Sequence, residues 1–351
     1  MAKKKTKIGF IGGGGISRHH MKYMAEMDDV ELAGVADVSE EALALCSEEF
    51  GLSNCFKNYE DLIKIKDIKA VTVGTPNGMH HQPTIDALNA GKAVMVEKPM
   101  AMSPEQAAQM VKTAHKKKCL LVIGFQHRFS AAAQMLKRSI DQNTFGNVMY
   151  ARCLALRRRG IPNWGVFGRK DLQGGGALID IGVHMIEAAH YLMGSPQPVS
   201  AYGSTYTYLG DKPSDTVSPW PDWDHSTYTV EDLAVGMVRF DNGATLSVEA
   251  SFAAHIGKGE WTFTLMGDQG GGQFNPPMIF KDEAGTMVNL TPDFLPNTDE
   301  FRHKMRHFVE CVQTGEPSDA PGEHGLLVQQ ILNGIYESAE KGHEVKIKKM
   351  V

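Results

Sequence analysis

Lys7-Ile8-Gly9-Phe10-Ile11-Gly12-Gly13-Gly14-Gly15-Ile16-Ser17 is the stretch that decides the fold. Ile8 to Ile11 form a short apolar strand, the glycines break it, and Ile16–Glu26 carries a helical pattern. A strand that passes through glycines into a helix is where a dinucleotide pyrophosphate docks, because the helix N-terminus offers free N–H groups to an anion. The run fits G-x-G-x-x-S. Gly12 permits the tight turn, Gly14 lets backbone approach phosphate, and Ser17 keeps the helix close to the strand. Gly15 and Ile16, which open the helix, complete the expected phosphate contacts. A glycine-rich turn alone reads the same way; the surrounding sequence separates the two.

Moving outward, Glu31–Ala36 is a second strand and Asp37 ends it. An acid near the ~20-residue spacing from the glycines accepts hydrogen bonds from the adenine-side ribose hydroxyls and repels a 2′-phosphate. Val38 and Ser39 offer no arginine to receive that phosphate, so the pattern favours NAD over NADP. Helices are expected over Ser39–Phe50, Tyr59–Ile65, Met79–Asn89 and Ser103–Lys117. Strands are expected at Ala70–Gly74, Ala93–Val96 and Leu120–Gly124. This alternation predicts a doubly wound parallel sheet over residues 1–125.

Ligands of such sheets lie beyond the carboxyl ends of the strands. Two such ends draw attention. Gly74-Thr75-Pro76-Asn77-Gly78-Met79-His80 should border the nicotinamide half of the cofactor through Thr75, Asn77 and His80, although Asn77 reads equally as a turn former or helix cap. Val94-Met95-Val96-Glu97-Lys98-Pro99 places Glu97 and Lys98 where they would face cofactor, with Lys98 also facing substrate.

After Gln126 the texture changes. Helices at Ala131–Gln142 and Ala177–Met193 accompany strands at Val148–Leu156, Val199–Leu209, Leu233–Phe240, Ala244–Ala253 and Glu260–Met266. Asp241-Asn242-Gly243 joins two strands as a hairpin. Residues 126–351 therefore read as one α+β domain with a mainly antiparallel sheet, closed by helices at Glu300–Gln313 and Leu326–Glu340. Asp211–Thr229, with three prolines plus Trp220 and Trp223, reads as a long ordered loop or lid. Gly174 to His184 carries a chemical pair: Asp180 and His184, spaced i,i+4, share a helical face with Glu187 and Tyr191. Leu178, Ile181, Met185, Ala189 and Leu192 form an apolar stripe opposite. A histidine there can take a hydroxyl proton while an acid stabilises the imidazolium, although such a pair is also a common structural device.

These motifs together (the opening G-x-G-x-x-S, Asp37, Pro76-Asn77-x-x-His80, Glu97-Lys98-Pro99 and Asp180-x-x-x-His184) resemble the Gfo/Idh/MocA oxidoreductases. Gly124-Phe125-Gln126-His127-Arg128-Phe129 and Val230-Glu231-Asp232 extend the resemblance along the chain. It implies a Rossmann domain followed by a large, open, mainly antiparallel sheet used for contacts in a homodimer or homotetramer. It implies NAD(P)-dependent alcohol–ketone interconversion on a polyol, sugar or cyclitol, with Lys98 contacting the reacting hydroxyl, His184 as acid/base, Asp180 supporting it, and Glu97 and Pro99 shaping the loop. A glycoside-processing enzyme that oxidises its substrate transiently would share these residues. A non-catalytic nucleotide-sensing regulator would be marked by loss of the lysine or histidine, and both are present.

Other signals are weaker. Arg157 could hold a carboxylate or phosphate of the substrate, or simply end a strand. Trp164 could stack on a sugar or pack within its own domain. His303 and His307 lack the carboxylates of a metal site, and none is expected. The net charge of −5 gives no case for nucleic acid or an anionic membrane. No run approaches the ~18 apolar residues of a membrane helix. Five scattered cysteines suit a reducing cytoplasm, and the basic start Met1–Lys5 is followed by too short an apolar run for a signal peptide.

Overall fold

The computed structural model describes residues 5–351; Met1 to Lys4 of the basic start lie outside the described residues. Among the described residues two compact units emerge, one from residues 5–126 with 299–326, the other from 127–298 with 327–350. No helix among the described residues is long and apolar enough to cross a membrane.

The first unit is built on β1 (Thr6–Ile11), β2 (Val30–Ala36), β3 (Cys55–Phe56), β4 (Ala70–Val73), β5 (Ala93–Val96) and β6 (Leu121–Ile123). They form one parallel sheet in the order β3-β2-β1-β4-β5-β6. Central strands covered on both faces must be apolar throughout, and Ile8, Phe10, Val71, Val73, Val94 and Val96 have no exposed surface. The intervening helices begin and end on the expected signals. Ser39 Oγ accepts from Ala42 N at the start of Glu40–Phe50, and Gly51 closes it at φ 65°. Ser103 caps Pro104–Lys117 in the same way.

The two compact units are not contiguous in sequence. Helix Glu300–Thr314 joins the first unit. Arg306 pairs there with both oxygens of Asp29 at 2.8 and 3.0 Å, and Lys304 with Glu97 at 2.6 Å. Met305, Phe308 and Val309 are fully buried beside them.

The second unit carries β7 (Val148–Leu156), β8 (Pro198–Tyr206), β9 (Leu233–Phe240), β10 (Thr245–Ser251), β11 (Glu260–Gly267), β12 (Gly270–Gln273), β13 (Met278–Glu283), β14 (Thr286–Leu290) and β15 (Val345–Lys346). The sheet runs β14-β13-β12-β11-β7-β10-β9-β8-β15, and only the β7–β10 pair is parallel. β12, β13 and β14 are not foreseen by the sequence pattern. Gly270-Gly271-Gly272 reads as loop, yet a Cβ on Gly272 would lie 2.5 Å from Leu136 and 2.7 Å from Phe145, so glycine is what allows this strand to pack.

Candidate active site

In the first unit the glycine turn is shaped as its spacing predicts. Gly12 sits at φ +97°, and a Cβ there would meet Gly74 O at 2.8 Å. Ser17 is buried, with its Oγ 2.4 Å from where a Cβ on Gly74 would stand, so the first helix lies tight on the end of β4. Around Gly14 and Gly15 an added Cβ would meet nothing within 4 Å. Helix Gly15–Ala25 has no side-chain cap and no acid in its first turn. Open space before uncapped N–H groups is a cradle for an anion.

Asp37 completes the cradle. One carboxylate oxygen accepts from Gly13 N at 2.6 Å and the other from Ser39 N at 2.8 Å. Gly12, Gly14, Asp37, Thr75, Pro76 and Pro83 wall a cleft. Lys57 also lines it, but its ammonium is paired with Glu40. The donor set suits a dinucleotide with a free ribose diol. Thr75 Oγ1 donates to Met79 O at 3.2 Å, and Asn77 opens a short 3₁₀ turn, Asn77–Met79.

Two expected cofactor contacts face elsewhere. His80 is buried, with Nδ1 2.8 Å from Pro99 O and Nε2 2.8 Å from Thr75 O. Both ring nitrogens face backbone carbonyls, and a neutral ring donates to one of them, so His80 lies between the β4 loop and the Lys98-Pro99 loop. Burial lowers its pKa, and the two carbonyls only partly offset this. Glu97 is buried too. Its carboxylate meets Lys304 and His20 (3.0 Å), and its Oε2 accepts from Lys98 N at 3.2 Å. It holds the loop from behind.

In the second unit Asp180 and His184 occupy an unusual helix. Leu178–Gly182 forms a π turn that runs into α-helix Val183–Leu192, where a continuous α-helix over Ala177–Met193 is expected from the pattern. Such turns are rare and recur at functional sites. Glu231 fixes its start, accepting from Gly176 N at 2.8 Å, Leu178 N at 3.0 Å and Tyr336 OH at 2.7 Å. Burial raises the Glu231 pKa against these bonds. Asp232, fully buried, accepts from Tyr208, Leu209 and Gly210 N–H groups at 2.7–2.9 Å, anchoring the segment that enters the 211–229 loop. Val230-Glu231-Asp232 thus braces both the helix and the loop.

The apolar stripe of this helix is buried as the pattern predicts. Of its polar face, His184 and Glu187 are buried as well, while Asp180 and Tyr191 are partly exposed. Glu187 pairs with Arg128 at 2.8 Å, and that guanidinium lies 4.6 Å over Tyr191. His184 is 8% exposed, its ring 5.1 Å from that of His127 and 5.9 Å from Trp261. His127 lies in a stretch that extends the family resemblance, but neither it nor Trp261 sits in a local pattern that marks a site residue.

Arg157 lies between aromatic faces, 4.8 Å from Trp220 and 5.8 Å from Phe252, and donates to Gly160 O at 3.0 Å. Burial lowers its pKa while the charge of Asp180 raises it. With Arg158, Arg159, Glu260 and Trp261 it lines a groove roofed by Val217 and Pro219. Trp164 is half-exposed and meets Trp220 edge-on at 4.8 Å, packing within its own unit.

Known proteins share this architecture. Residues 6–125 match the family model described as oxidoreductase family, NAD-binding Rossmann fold, and residues 137–347 match its C-terminal alpha/beta domain. The chain is 34% identical over 349 residues, 99% of both chains, to the D-glucoside 3-dehydrogenase of Escherichia coli (strain K12). It is 26% identical to the myo-inositol 2-dehydrogenase of Thermotoga maritima, over 98% of this chain and 99% of that one. Among solved structures, levoglucosan dehydrogenase in complex with NADH shares the fold at TM-score 0.85 and 23% identity, covering 99% of this chain and all of the other. With both domain models matched and a relative 34% identical from end to end, the chain belongs to the Gfo/Idh/MocA oxidoreductase family, its first domain an NAD-binding Rossmann fold.

Proposed function

We propose that the protein is an NAD-dependent dehydrogenase that interconverts a secondary alcohol and a ketone on a sugar or cyclitol. The observation that carries this reading is the His184 ring set among His127 and Trp261, on a helix that also bears Asp180. Aromatic faces receive the apolar C–H faces of a pyranose or cyclitol, while the imidazole serves its hydroxyls. When bound, NAD supplies the acceptor for the hydride that leaves the carbinol carbon.

The chain's own residues handle the proton. His184 takes it from the hydroxyl oxygen onto a ring nitrogen, and Asp180 stabilises the imidazolium. Lys98 donates a hydrogen bond to the same oxygen and favours its negative charge before the ketone forms. The reverse reduction returns the proton from His184. Arg157 orients the substrate through a ring oxygen or acidic substituent. Trp164, packed on Trp220, shapes the loop wall more than it stacks on the sugar.

The similarity to an enzyme named for acting on glucosides favours a second reading on the same residues. A ketone beside a carbon acidifies its C–H, and loss of that proton allows elimination of a neighbouring glycosidic group. On the open sheet face Tyr202 and Met237, paired across β8 and β9, are about half exposed; we assign that face to contact with a second copy. The free cysteines fit a reducing cytoplasm.

Absorbance at 340 nm across glucosides, free sugars, inositols and sugar acids tests the assignment. Sugar-dependent NADH formation is the expected result. Reduction of bound cofactor without NADH release points to the glycoside-processing variant, and no reduction with any polyol refutes both.

A further inference from the structure

Glu97 leads the motif that presents Lys98, yet its side chain enters a closed space inside the first unit. Lys304 Nζ donates to Oε1 at 2.6 Å, and His20 Nε2 lies 3.0 Å from the same oxygen. Oε2 accepts from the Lys98 peptide at 3.2 Å. Lys304 and His20 are at most 1% exposed. A Cβ on Gly124 would stand 2.5 Å from Oε1, so only glycine leaves room for the carboxylate. Three helical or loop elements from distant parts of the chain therefore converge on one acid.

A buried ion pair is a poor device for stability, since apolar side chains of similar volume fill such a space at no greater cost. What apolar residues could not supply is an acceptor for the Lys98 peptide. We propose that Lys304 is a positioning residue for the reaction: by pairing with Glu97 it keeps that carboxylate fixed beneath the Lys98 peptide and so sets the direction in which the Lys98 side chain leaves the loop. This rests on the reading that Lys98 serves the substrate hydroxyl.

The electrostatics agree with the geometry. Burial pushes the Glu97 carboxyl up, but Lys304 and His20 outweigh it and hold the acid well below the usual carboxylate range. Burial first, then Lys304, lowers His20 to about 4, so a neutral ring donates its Nε2–H to Glu97. The other charges that bear on the pair are His19 on the same helix as His20, and His80 and Lys98 in the neighbouring loops. Lys304 is the cation that donates directly to Oε1, at 2.6 Å, beside the His20 ring.

The test uses the full chain and three variants, Lys304→Met, Glu97→Gln/Lys304→Met and Lys98→Ala. Amide hydrogen exchange reads the Lys98 peptide without any substrate. In Lys304→Met the carboxylate loses its charged partner and its pKa rises, so protection of the Lys98 amide should fall at least tenfold at pH 7 and recover as pH rises. Wild type should show no such pH dependence between pH 6 and 9. The double variant leaves no uncompensated charge and should keep the fold, with Lys98 protection lowered at every pH. On a sugar that wild type oxidises, both variants should lose at least tenfold in kcat with the KM for NAD unchanged, and Lys304→Met should move the acid limb of kcat upward by a pH unit or more.

Unchanged Lys98 protection and an unmoved acid limb in the folded variants would overturn the inference. So would a loss of protection spread evenly through the unit, which marks a purely structural lysine. Full turnover by Lys98→Ala would instead overturn the parent reading, whereas an inactive Lys98→Ala beside fully active Lys304 variants would overturn this inference alone.

Discussion

The Asp37 carboxylate accepts the Gly13 peptide N–H at 2.6 Å, tying the end of β2 to the glycine turn. Its other oxygen accepts from Ser39 N. An ionised carboxylate has about four lone-pair sites, so about two are left for the hydroxyls of a ribose. One residue thus sets the shape of the glycine turn, and in the proposed cofactor site it would also accept from the ribose. Hydrogen bonds to a charged group contribute about 1.5–3 kcal/mol. Asp37→Ala should therefore raise the KM for NAD roughly 10–100-fold and narrow the preference over NADP. Steady-state kinetics with both cofactors measure this; an unaltered preference would remove Asp37 from the ribose site.

The glycines of the turn should separate folding from binding. Gly12→Ala forces a side chain into φ +97° and against Gly74 O, so it should destabilise the first unit by about 1–3 kcal/mol, seen as a lower thermal midpoint. Gly14 has φ −70° and open space before it. Gly14→Val should leave the thermal midpoint of the protein alone nearly unchanged and abolish NADH binding in a fluorescence titration. If Gly14→Val binds NADH normally, the pyrophosphate does not lie there.

The parallel sheet was legible because each of its strands is a short apolar run punctuated by glycine or a capping serine, signals that act within a few residues. What the sequence could not show acts at long range or through what is missing. Lys304 reaches Glu97 across 207 positions, and a lysine on a helix otherwise reads as solvated. β12 is three glycines and Gln273, and the missing side chain of Gly272, not its pattern, lets the strand sit against Leu136 and Phe145. Glu97 and His80 were legible as members of a site but not in which direction they face. Both turn inward, because the loops that carry Thr75 and Lys98 have backbone groups that need partners.

Lys98→Ala and His184→Ala should each lower kcat by about 10²–10⁴ without unfolding the protein, the range for loss of a group that handles a proton in the transition state. His184 is only 8% exposed among rings, so His184→Gln is the better partner variant, keeping volume and a hydrogen-bonding amide. Rapid-mixing measurement of bound-cofactor reduction isolates the chemical step from product release. Near-normal rates in both His184 variants would place the acid/base elsewhere.

Stability should fall on mild acidification, and His190 should account for part of it. Its ring is buried in the second unit, with Nε2 2.8 Å from Pro196 O and Nδ1 buried without a partner. Burial, against the pull of the Pro196 carbonyl, lowers its pKa from 6.5 to about 4. A depressed folded pKa means that the unfolded chain binds the proton first. The contribution is therefore whole above pH 6.5 and is lost as pH falls towards 4, amounting to about 2 kcal/mol by pH 5. For a unit of this size that is a drop of roughly 4–8 °C in thermal midpoint. His20 in the first unit has the same sign and the same pKa of about 4, and burial lowers His19, His80 and His307 as well, so wild type alone does not separate them. His190→Gln keeps an N–H for Pro196 and cannot titrate, and the other histidines cancel in the comparison. The variant should be less stable than wild type at pH 7.5, because the amide fills the ring's space poorly, but should lose roughly 4–8 °C less on going to pH 5. Parallel melting curves for the two proteins across that range would contradict the assignment of a neutral, buried imidazole at this position.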